Sequence, residues 1–373
     1  MKEHGILIIG GGLAGLTVAI HLALEGLDVA VIEMQQYPHH KVCGEYVSKE
    51  IEPYLKRLGV DLKANGAKDI SQFQISTADG YIAETDLPLG GFGISRYALD
   101  QLLYIRAQEL GVRFYFEKVI ETVFKEDVFT IKTKFGCYSS KIAIGAYGKR
   151  SVLDKNLDRA FSKKKQSWLA VKAHYELEDF QEDVVALHNF NGGYGGLSKT
   201  ETGAVNFCYL VNYESFKEYK DIQSFNTAVV AENPYLQEFL TNAVPIFEQP
   251  MTIAQIAFDE KDNVVDHMLM CGDTAGLIHP LCGNGMAMAI HSAKIASELI
   301  LKYVNESGYN RNDLEMDYKK AWSKAFGKRL WFGRKLQSIL MNKRLVSMGI
   351  KSVGKSKSLL KFIISKTHGE LIS

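Results

Sequence analysis

Residues 5–33 leave this chain few choices of fold. A short apolar run, Ile6-Leu7-Ile8-Ile9, meets Gly10-Gly11-Gly12. An apolar segment of helix length follows from Leu13 to Glu25, and after Gly26 comes a second short run, Val29-Ala30-Val31-Ile32. Strand, glycine turn, helix and strand within about 30 residues make a βαβ unit. Lys2 ahead of the stretch gives it the look of a signal peptide or membrane span. Gly15 and the polar Thr17, His21 and Glu25 inside it argue against both. No other stretch is long and apolar enough to span a bilayer.

The glycines form GxGxxG, and each has a physical task. Gly10 permits the tight turn, Gly12 lets a pyrophosphate approach the backbone, and Gly15 lets the helix pack on the strand. The free N–H groups at the helix start, around Leu13 and Ala14, then face the phosphate together with the positive end of the helix dipole. Glu33, with Met34 beside it, closes the second strand and is placed to accept hydrogen bonds from an adenosine ribose. An acid there favours FAD or NAD over NADP at this site. The structural alternative is a plain glycine turn with Glu33 solvated.

The chain of 373 residues has room for two or three domains or one interleaved unit. Its cysteines, at 43, 137, 208, 271 and 282, include no CxxC pair and no metal-ligand spacing. A disulfide scaffold and a zinc module are therefore not expected, no metal site is assigned, and a reducing cytoplasm fits. Charge is unevenly spread. Residues 326–368 hold eleven Lys/Arg and no Asp/Glu, so the body before them is acidic although the whole chain carries only +1. Leu330, Trp331, Phe332, Leu336, Ile339, Leu340, Leu359, Leu360, Phe362 and Ile363 are interleaved with these charges. Such a segment suits an anionic membrane surface or an acidic carrier protein; alternatively it packs on the protein's own acidic body. The acidic body gives a nucleic-acid role little support, and Ser, His and Asp show no nucleophile elbow.

A second glycine-rich element spans Met268–Met286. A short strand leads into Gly272-Asp273, and beyond Pro280, Gly283 and Gly285 open a long helix to about Tyr303. This resembles the GDxxxxxxPxxGxG segment of glutathione-reductase-type FAD proteins, which include aromatic hydroxylases and geranylgeranyl reductases. The resemblance implies that Asp273 holds the ribityl chain and that the helix beginning near Gly285 aims its N-terminus at the flavin N1/C2=O edge, where reduced flavin is negative. Gly93–Asp100 looks like the family's R-xx-L segment, which makes Arg96 an FAD contact; its other reading is an i,i+4 pair with Asp100. Lys41–Ser48 resembles the KxCGExxS stretch of the geranylgeranyl reductase branch and implies Cys43 close to the isoalloxazine, the alternative being a small buried thiol. The same resemblance sets Lys41, Gly44, Val119, Ala146, Gly148, Pro280, Gly283 and Met286 among the cofactor contacts. Asn191–Gly196 is similar to the branch's GGYGW turn, with Gly196 in place of Trp; the glycine either opens the substrate cavity or serves a hairpin. One departure is Tyr147, which stands where the family's GADGxxS segment has aspartate.

The expected fold is α/β: a Rossmann-type FAD-binding domain (1–70, 94–165 and 264–310), an inserted antiparallel β-sheet substrate domain (71–93 and 166–263) and a C-terminal helical basic segment (311–373). Substrate-domain strands are expected at 73–77, 81–85, 169–175, 184–190 and 205–211. The function implied is a cytoplasmic oxidoreductase, peripherally membrane-bound if the tail docks there, with non-covalent FAD, NAD(P)H as electron donor and a hydrophobic small-molecule substrate. Two chemistries remain open, double-bond reduction by flavin hydride and hydroxylation with oxygen, and the Cys43-Gly44-Glu45 loop favours reduction. No WxWxIP segment supports halogenation. Cys43, Glu45 and Tyr46 are the catalytic candidates, the last two as proton donors. A non-catalytic flavoprotein-derived binding protein is the third reading, permitted by Tyr147.

Overall fold

Ile6–Ile9, Val29–Glu33 and Ile142–Gly145 are apolar at every position or nearly so, the pattern of strands covered on both faces. The structure, a computed structural model, describes the chain apart from residues 150, 165–166, 257, 278–282 and 341–342; for 336–340, 343–346 and 367 it describes the backbone only. The three strands form the middle of a six-stranded sheet. Its order runs Val264–Val265, Met268–Met270, Ile142–Gly145, Ile6–Ile9, Val29–Glu33, Arg113–Phe116. Every neighbour pairs in parallel except the first two, which make a hairpin. The helix Leu13–Leu24 packs against both Arg96–Glu109 and Gly285–Asn305, and this burial from several sides explains why it is apolar nearly all round.

A four-stranded sheet, not expected from the sequence, flanks this layer: Lys2–Glu3, Cys137–Ser140, Val128–Thr133 and Val119–Lys125. The other large layer is a nine-stranded sheet. Its path runs Val244–Pro245, Trp168–Glu176, Val205–Asn212, Gly193–Lys199, Val184–Phe190, Lys68–Ser76, Ile82–Gly93, Tyr46–Ser48, with Met251–Ile256 also on Trp168–Glu176. It begins before residue 71, because Tyr46–Ser48 and Lys68–Ser76 both belong to it. Strand alternation gives the sheet two different faces. Leu169, Val171, Ala186, Phe207, Tyr209 and Val211 build an aromatic-rich core with Phe225, Leu236 and Phe239 of the helical excursion 222–242. Ala170, Lys172, Leu187, Tyr194 and Leu210 point the other way.

The expectation that Asn191–Gly196 is a turn needs correction. Only Asn191-Gly192 turns, with Gly192 at φ +79°, and Gly193–Lys199 is a strand. The glycines answer to packing. A Cβ on Gly193 would lie 2.3 Å from the Leu210 carbonyl oxygen, and one on Gly195 would lie 2.6 Å from the Phe207 ring.

The basic tail forms three helices, Arg311–Leu340, Lys343–Gly354 and Lys357–Thr367. Leu314, Tyr318, Trp322, Phe326 and Leu330 recur every four residues and are buried in the main core. Tyr318 donates a 2.6 Å hydrogen bond to the Met270 carbonyl. Ile350, Leu360 and Ile364 are buried too, and Leu360 and Ile364 pack with Tyr46, Ile70, Ala83 and Leu87 of the sheet. Lys351 pairs with Asp79 and Lys361 with Asp86. The end of the chain is held by Glu50, which is fully buried. Its carboxylate accepts from Arg329, from Asn284 at 3.2 Å and from the Gly369 N–H, while its carbonyl accepts from the Ile372 N–H. Glu50→Ala is expected to lower unfolding free energy by about 3–5 kcal/mol, because it strands a guanidinium that is mostly buried. Equilibrium denaturation checks this; a loss under about 1 kcal/mol would show that the latch does not hold the tail.

Candidate active site

The two sheets and the tail enclose one continuous cavity of about 600 Å³. One end lies at the carboxyl ends of the parallel strands, where open α/β sheets bind ligands. There Gly12, Leu13, Ala14, Cys43, Gly44, Arg96, Ala146, Gly148, Asp273, Gly283, Gly285 and Met286 come together. The other end is an apolar arm between Phe73, Ile75, Ala83, Leu87 and Val185 of the sheet and Ile350, Val353, Leu360 and Ile364 of the tail.

The glycine turn has the shape its sequence predicts. Gly10 sits at φ +99° with the Ala146 carbonyl oxygen 2.4 Å from where a Cβ would stand, and a Cβ on Gly15 would lie 2.0 Å from the Gly10 carbonyl oxygen. Gly12 alone of the three is open. The nearest atoms to a Cβ there are Arg96 Nη2 at 3.7 Å and Lys41 Nζ at 3.9 Å, so two cations flank the bare backbone. The i,i+4 pair of Arg96 with Asp100 is formed, and forming it leaves the guanidinium beside the turn. Its guanidinium makes two 2.7 Å bonds to Asp100, Lys41 lies 3.0 Å from the same carboxylate, and the cationic side stays beside Gly12. Burial alone would raise Asp100, but Arg96 and Lys41 hold its carboxyl below the usual range.

Glu33 accepts from the Gly11 N–H at 2.6 Å and the Gln35 N–H at 3.1 Å, which fixes the carboxylate at the strand end. Met34 is exposed beside it, and Val119 opens a strand a few residues after Phe116, the residue paired with Glu33. Glu33, Met34, Lys41 and Val119 thus lie outside the cavity lining, on the adenosine side of the expected site. Pro280 lies outside the described residues. Asp273 sits in a short 3-10 turn begun by Gly272 at φ +61°. Lys261 donates to its carbonyl at 2.8 Å, and burial pushes that ammonium down to about 8 despite the neighbouring Asp273. The helix Gly285–Asn305 starts at Asn284 with no side-chain cap, so its first N–H groups suit an anionic ring edge. An open glycine between two cations and an uncapped helix start fit the pyrophosphate and the ring of an FAD.

Tyr147 turns away from this cavity. Its ring lies by Gly145 and Met270, its hydroxyl accepts from Arg159 at 3.4 Å, and burial raises its pKa. Position 147 therefore does not aim a side chain at the cofactor end.

Among the catalytic candidates, Cys43 lines the cavity with its Sγ 3.3 Å from Met286 Sδ at the helix start. Glu45 also lines it but is fully buried and pinned. Lys172 Nζ lies 2.5 Å from Oε1, His174 Nε2 2.6 Å from Oε2, and the Arg96 N–H donates to Oε1 at 2.7 Å. Burial would raise this carboxyl, yet the His174 and Lys172 bonds and the Lys172 charge together hold it below the usual range. The expectation of Glu45 as a proton donor is corrected on that ground: it is a buried counter-ion. His40, Glu45 and His174 place ligand-type atoms within 4.8 Å of one another, but the Lys172 ammonium shares the carboxylate and makes this an ion network. Lys172 and His174 were missed from the sequence, although a charged residue and a histidine two apart inside an apolar strand were the available sign. Tyr46 is 7% exposed, lines the cavity, and packs its ring on Gly91 and Gly283.

The FAD binding domain family model matches residues 3–313 of this chain. The chain belongs to that family. It is an FAD-dependent oxidoreductase. It is 23% identical to digeranylgeranylglycerophospholipid reductase 2 of Methanopyrus kandleri over 351 residues, covering 90% of this chain and 86% of that protein. A geranylgeranyl bacteriochlorophyll reductase-like protein of Thermoplasma acidophilum superposes with a TM-score of 0.78 at 17% identity, covering 98% and 96% of the two chains. The flavin-dependent brominase Bmp2 gives 0.77 at 17% identity, covering 98% and 93%. At such identities the structures speak for a shared fold.

Two outcomes test this site. Glu33→Ala and Asp273→Ala are each expected to weaken FAD binding about tenfold to a hundredfold, the effect of losing a charged hydrogen bond. Fluorescence titration of apoprotein measures it, and wild-type affinity in both variants would refute the assignment. The ion network predicts a pH dependence. Glu45 is depressed when folded, so its contribution is complete above the unfolded value near 4.3 and disappears as pH falls through the folded value. Lys172→Met is expected to cost about 3–5 kcal/mol at pH 7. Glu45→Gln combined with Lys172→Met is expected to recover most of that and to flatten the stability profile below pH 4.3. An acid limb as steep as in wild type would place the titrating group elsewhere.

Proposed function

We propose that the protein reduces carbon–carbon double bonds in a hydrophobic substrate, with FAD held non-covalently and NAD(P)H as the electron donor. The observation that carries this reading is the continuity of the cavity, from the glycine turn and helix start into an arm walled by aliphatic side chains. FAD, when bound, supplies hydride transfer at the flavin. Gly12, Arg96 and Lys41 are suited to its pyrophosphate, Glu33, Met34 and Val119 to the adenosine end, and Asp273 with Ala146 and Gly148 to the ribityl chain. Gly283, Gly285, Met286, Cys43 and Gly44 are suited to the ring. Leu187, Leu210 and Ile256 exclude water where an apolar chain would lie.

Gly196 faces the cavity, and a Cβ there would meet only ordinary contacts beyond 3.4 Å. Its bare backbone supports the cavity-opening reading. The reductase name of the Methanopyrus kandleri relative agrees with the chemistry favoured by the Cys43-Gly44-Glu45 loop. Contact with an anionic lipid surface belongs to the same proposal: Trp331, Met348, Leu359 and Phe362 are exposed on the outer side of the roof helices, among Lys355, Lys357 and Lys366. None of the described helices is long and apolar enough to cross a membrane.

Anaerobic photometry of the holoprotein tests the chemistry. NADH or NADPH is expected to bleach the flavin, and an added polyprenyl alkene is expected to restore its colour without oxygen. A flavin that stays bleached with the alkene, but gives a transient near-ultraviolet band and a hydroxylated product once oxygen enters, would establish hydroxylation instead.

A further inference from the structure

The C-terminal tail brings a histidine into the cavity. His368 ends the last helix, lines the cavity, and places Nε2 3.3 Å from the Tyr46 hydroxyl. Its Nδ1 lies 3.0 Å from the Ile364 carbonyl. A carbonyl only accepts, so Nδ1 carries the proton and Nε2 is the acceptor. Burial lowers the His368 pKa, which keeps the ring neutral and that acceptor in place. The Tyr46 hydroxyl has two acceptors, His368 Nε2 and the Gly90 carbonyl at 3.4 Å, both long for an O–H donor. The pair is built into the fold. Tyr46 is wedged between Gly91 and Gly283, where a Cβ would meet its ring at 2.2 and 3.3 Å, and His368 adjoins Gly369, whose N–H is held by Glu50.

The surroundings make this pair conspicuous. The arm of the cavity next to it is aliphatic on the sheet side and on the tail side. Lys335, its other polar side chain among the described residues, lies on the roof with its ammonium 5.9 Å from the Trp331 ring. A donor and an acceptor side by side, joined by a slack hydrogen bond, match one ligand group that both gives and takes a proton in hydrogen bonding. That group is a hydroxyl.

We propose that Tyr46 and His368 form a subsite for a hydroxyl group on an otherwise apolar ligand, the ligand oxygen accepting from Tyr46 Oη–H and its proton going to His368 Nε2. The inference rests on the cavity being a hydrophobic-substrate site, and it narrows that substrate to a lipid alcohol or phenol. A carbonyl uses only the tyrosine half, and a hydrocarbon uses neither.

Binding without turnover tests this. Oxidised full-length holoprotein is titrated with three chain-matched probes, farnesol, farnesal and farnesene, and the perturbation of the flavin spectrum is followed. Farnesol is expected to bind about threefold to tenfold more tightly than farnesene, the range for one or two net hydrogen bonds. Tyr46→Phe is expected to reduce this preference and to make farnesal no better than farnesene. His368→Leu is expected to make farnesol no better than farnesal, and His368→Gln, which keeps an acceptor, to restore part of the difference. His368 lies near the chain end, so its variants decide the matter even if Tyr46→Phe loses flavin. Equal binding of all three probes by the wild type, or an undiminished preference for farnesol over farnesal in the His368→Leu variant, overturns the subsite and leaves the hydrophobic cavity standing. Failure of every probe to perturb the flavin overturns the hydrophobic-substrate reading and the subsite with it.

Discussion

One buried carboxylate couples the layers of this molecule. Glu45 sits at φ +54° in the loop that leaves the parallel-sheet layer, and its carbonyl accepts from the Ile94 N–H. Its side chain binds Lys172 and His174 of the large sheet and the first N–H of the helix Arg96–Glu109. A buried ion pair survives only where its remaining lone pairs and protons are satisfied. Here Lys172 also donates to the Lys41 carbonyl, and Asn206 donates to that of Cys43. The loop 41–45 is therefore fixed along its length. With it are fixed the cation beside Gly12, the Cys43 thiol beside Met286, and the position of the sheet above both.

Glu50 plays the corresponding part for the roof. It joins Arg329 of the long tail helix, Asn284 at the start of the helix Gly285–Asn305, and the last turn of the chain. The strong charge asymmetry of the sequence is thereby answered in part within the molecule. Lys351, Lys361, Arg334 and Arg311 meet Asp79, Asp86, Glu260 and Asp127. Exposed pairs of this kind contribute little each. Docking is secured instead by the apolar stripe from Leu314 to Leu330 and by Ile350, Leu360 and Ile364. Charge sets which side of the tail faces the body, and burial keeps it there.

Much of the cofactor end was legible because its constraints are local. The turn at Gly10–Gly15, the strand ending at Glu33 and the helix opening at Gly285 each depend on residues close in sequence. The strands at 168–176, 184–190 and 205–212 announced themselves by β-branched and aromatic composition. Gly193–Lys199 did not, because its glycines answer to Phe207 and Leu210 on a neighbouring strand, a contact that no window of sequence contains. Glu45 was visible as an acid in a motif, but its state depends on partners 127 and 129 residues away. His368 lies 322 residues from Tyr46, and nothing near it in sequence marks a site. Tyr147 was legible only as a departure from a family motif; which way its side chain turns, toward Arg159, depends on a contact outside that motif.

The fold alone does not choose a chemistry, since reductases and a brominase share it at equal likeness. What differs among such proteins must lie in the surfaces the fold leaves free. In this chain those are the cavity-facing positions of the large sheet and the inner sides of the tail helices. Alternation assigns the odd residues of 205–211 to the aromatic core, where packing limits change, and sends Cys208 and Leu210 to the cavity, where it does not. The same strand thus supplies both rigidity and selectivity. A glycine at 196 widens the space, Leu187 and Leu210 keep it dry, and the tail closes it while adding one imidazole. On the proposed reading, substrate choice is in this way separated from cofactor binding: the first would rest on residues from distant parts of the chain, the second on short local segments that sequence alone can display.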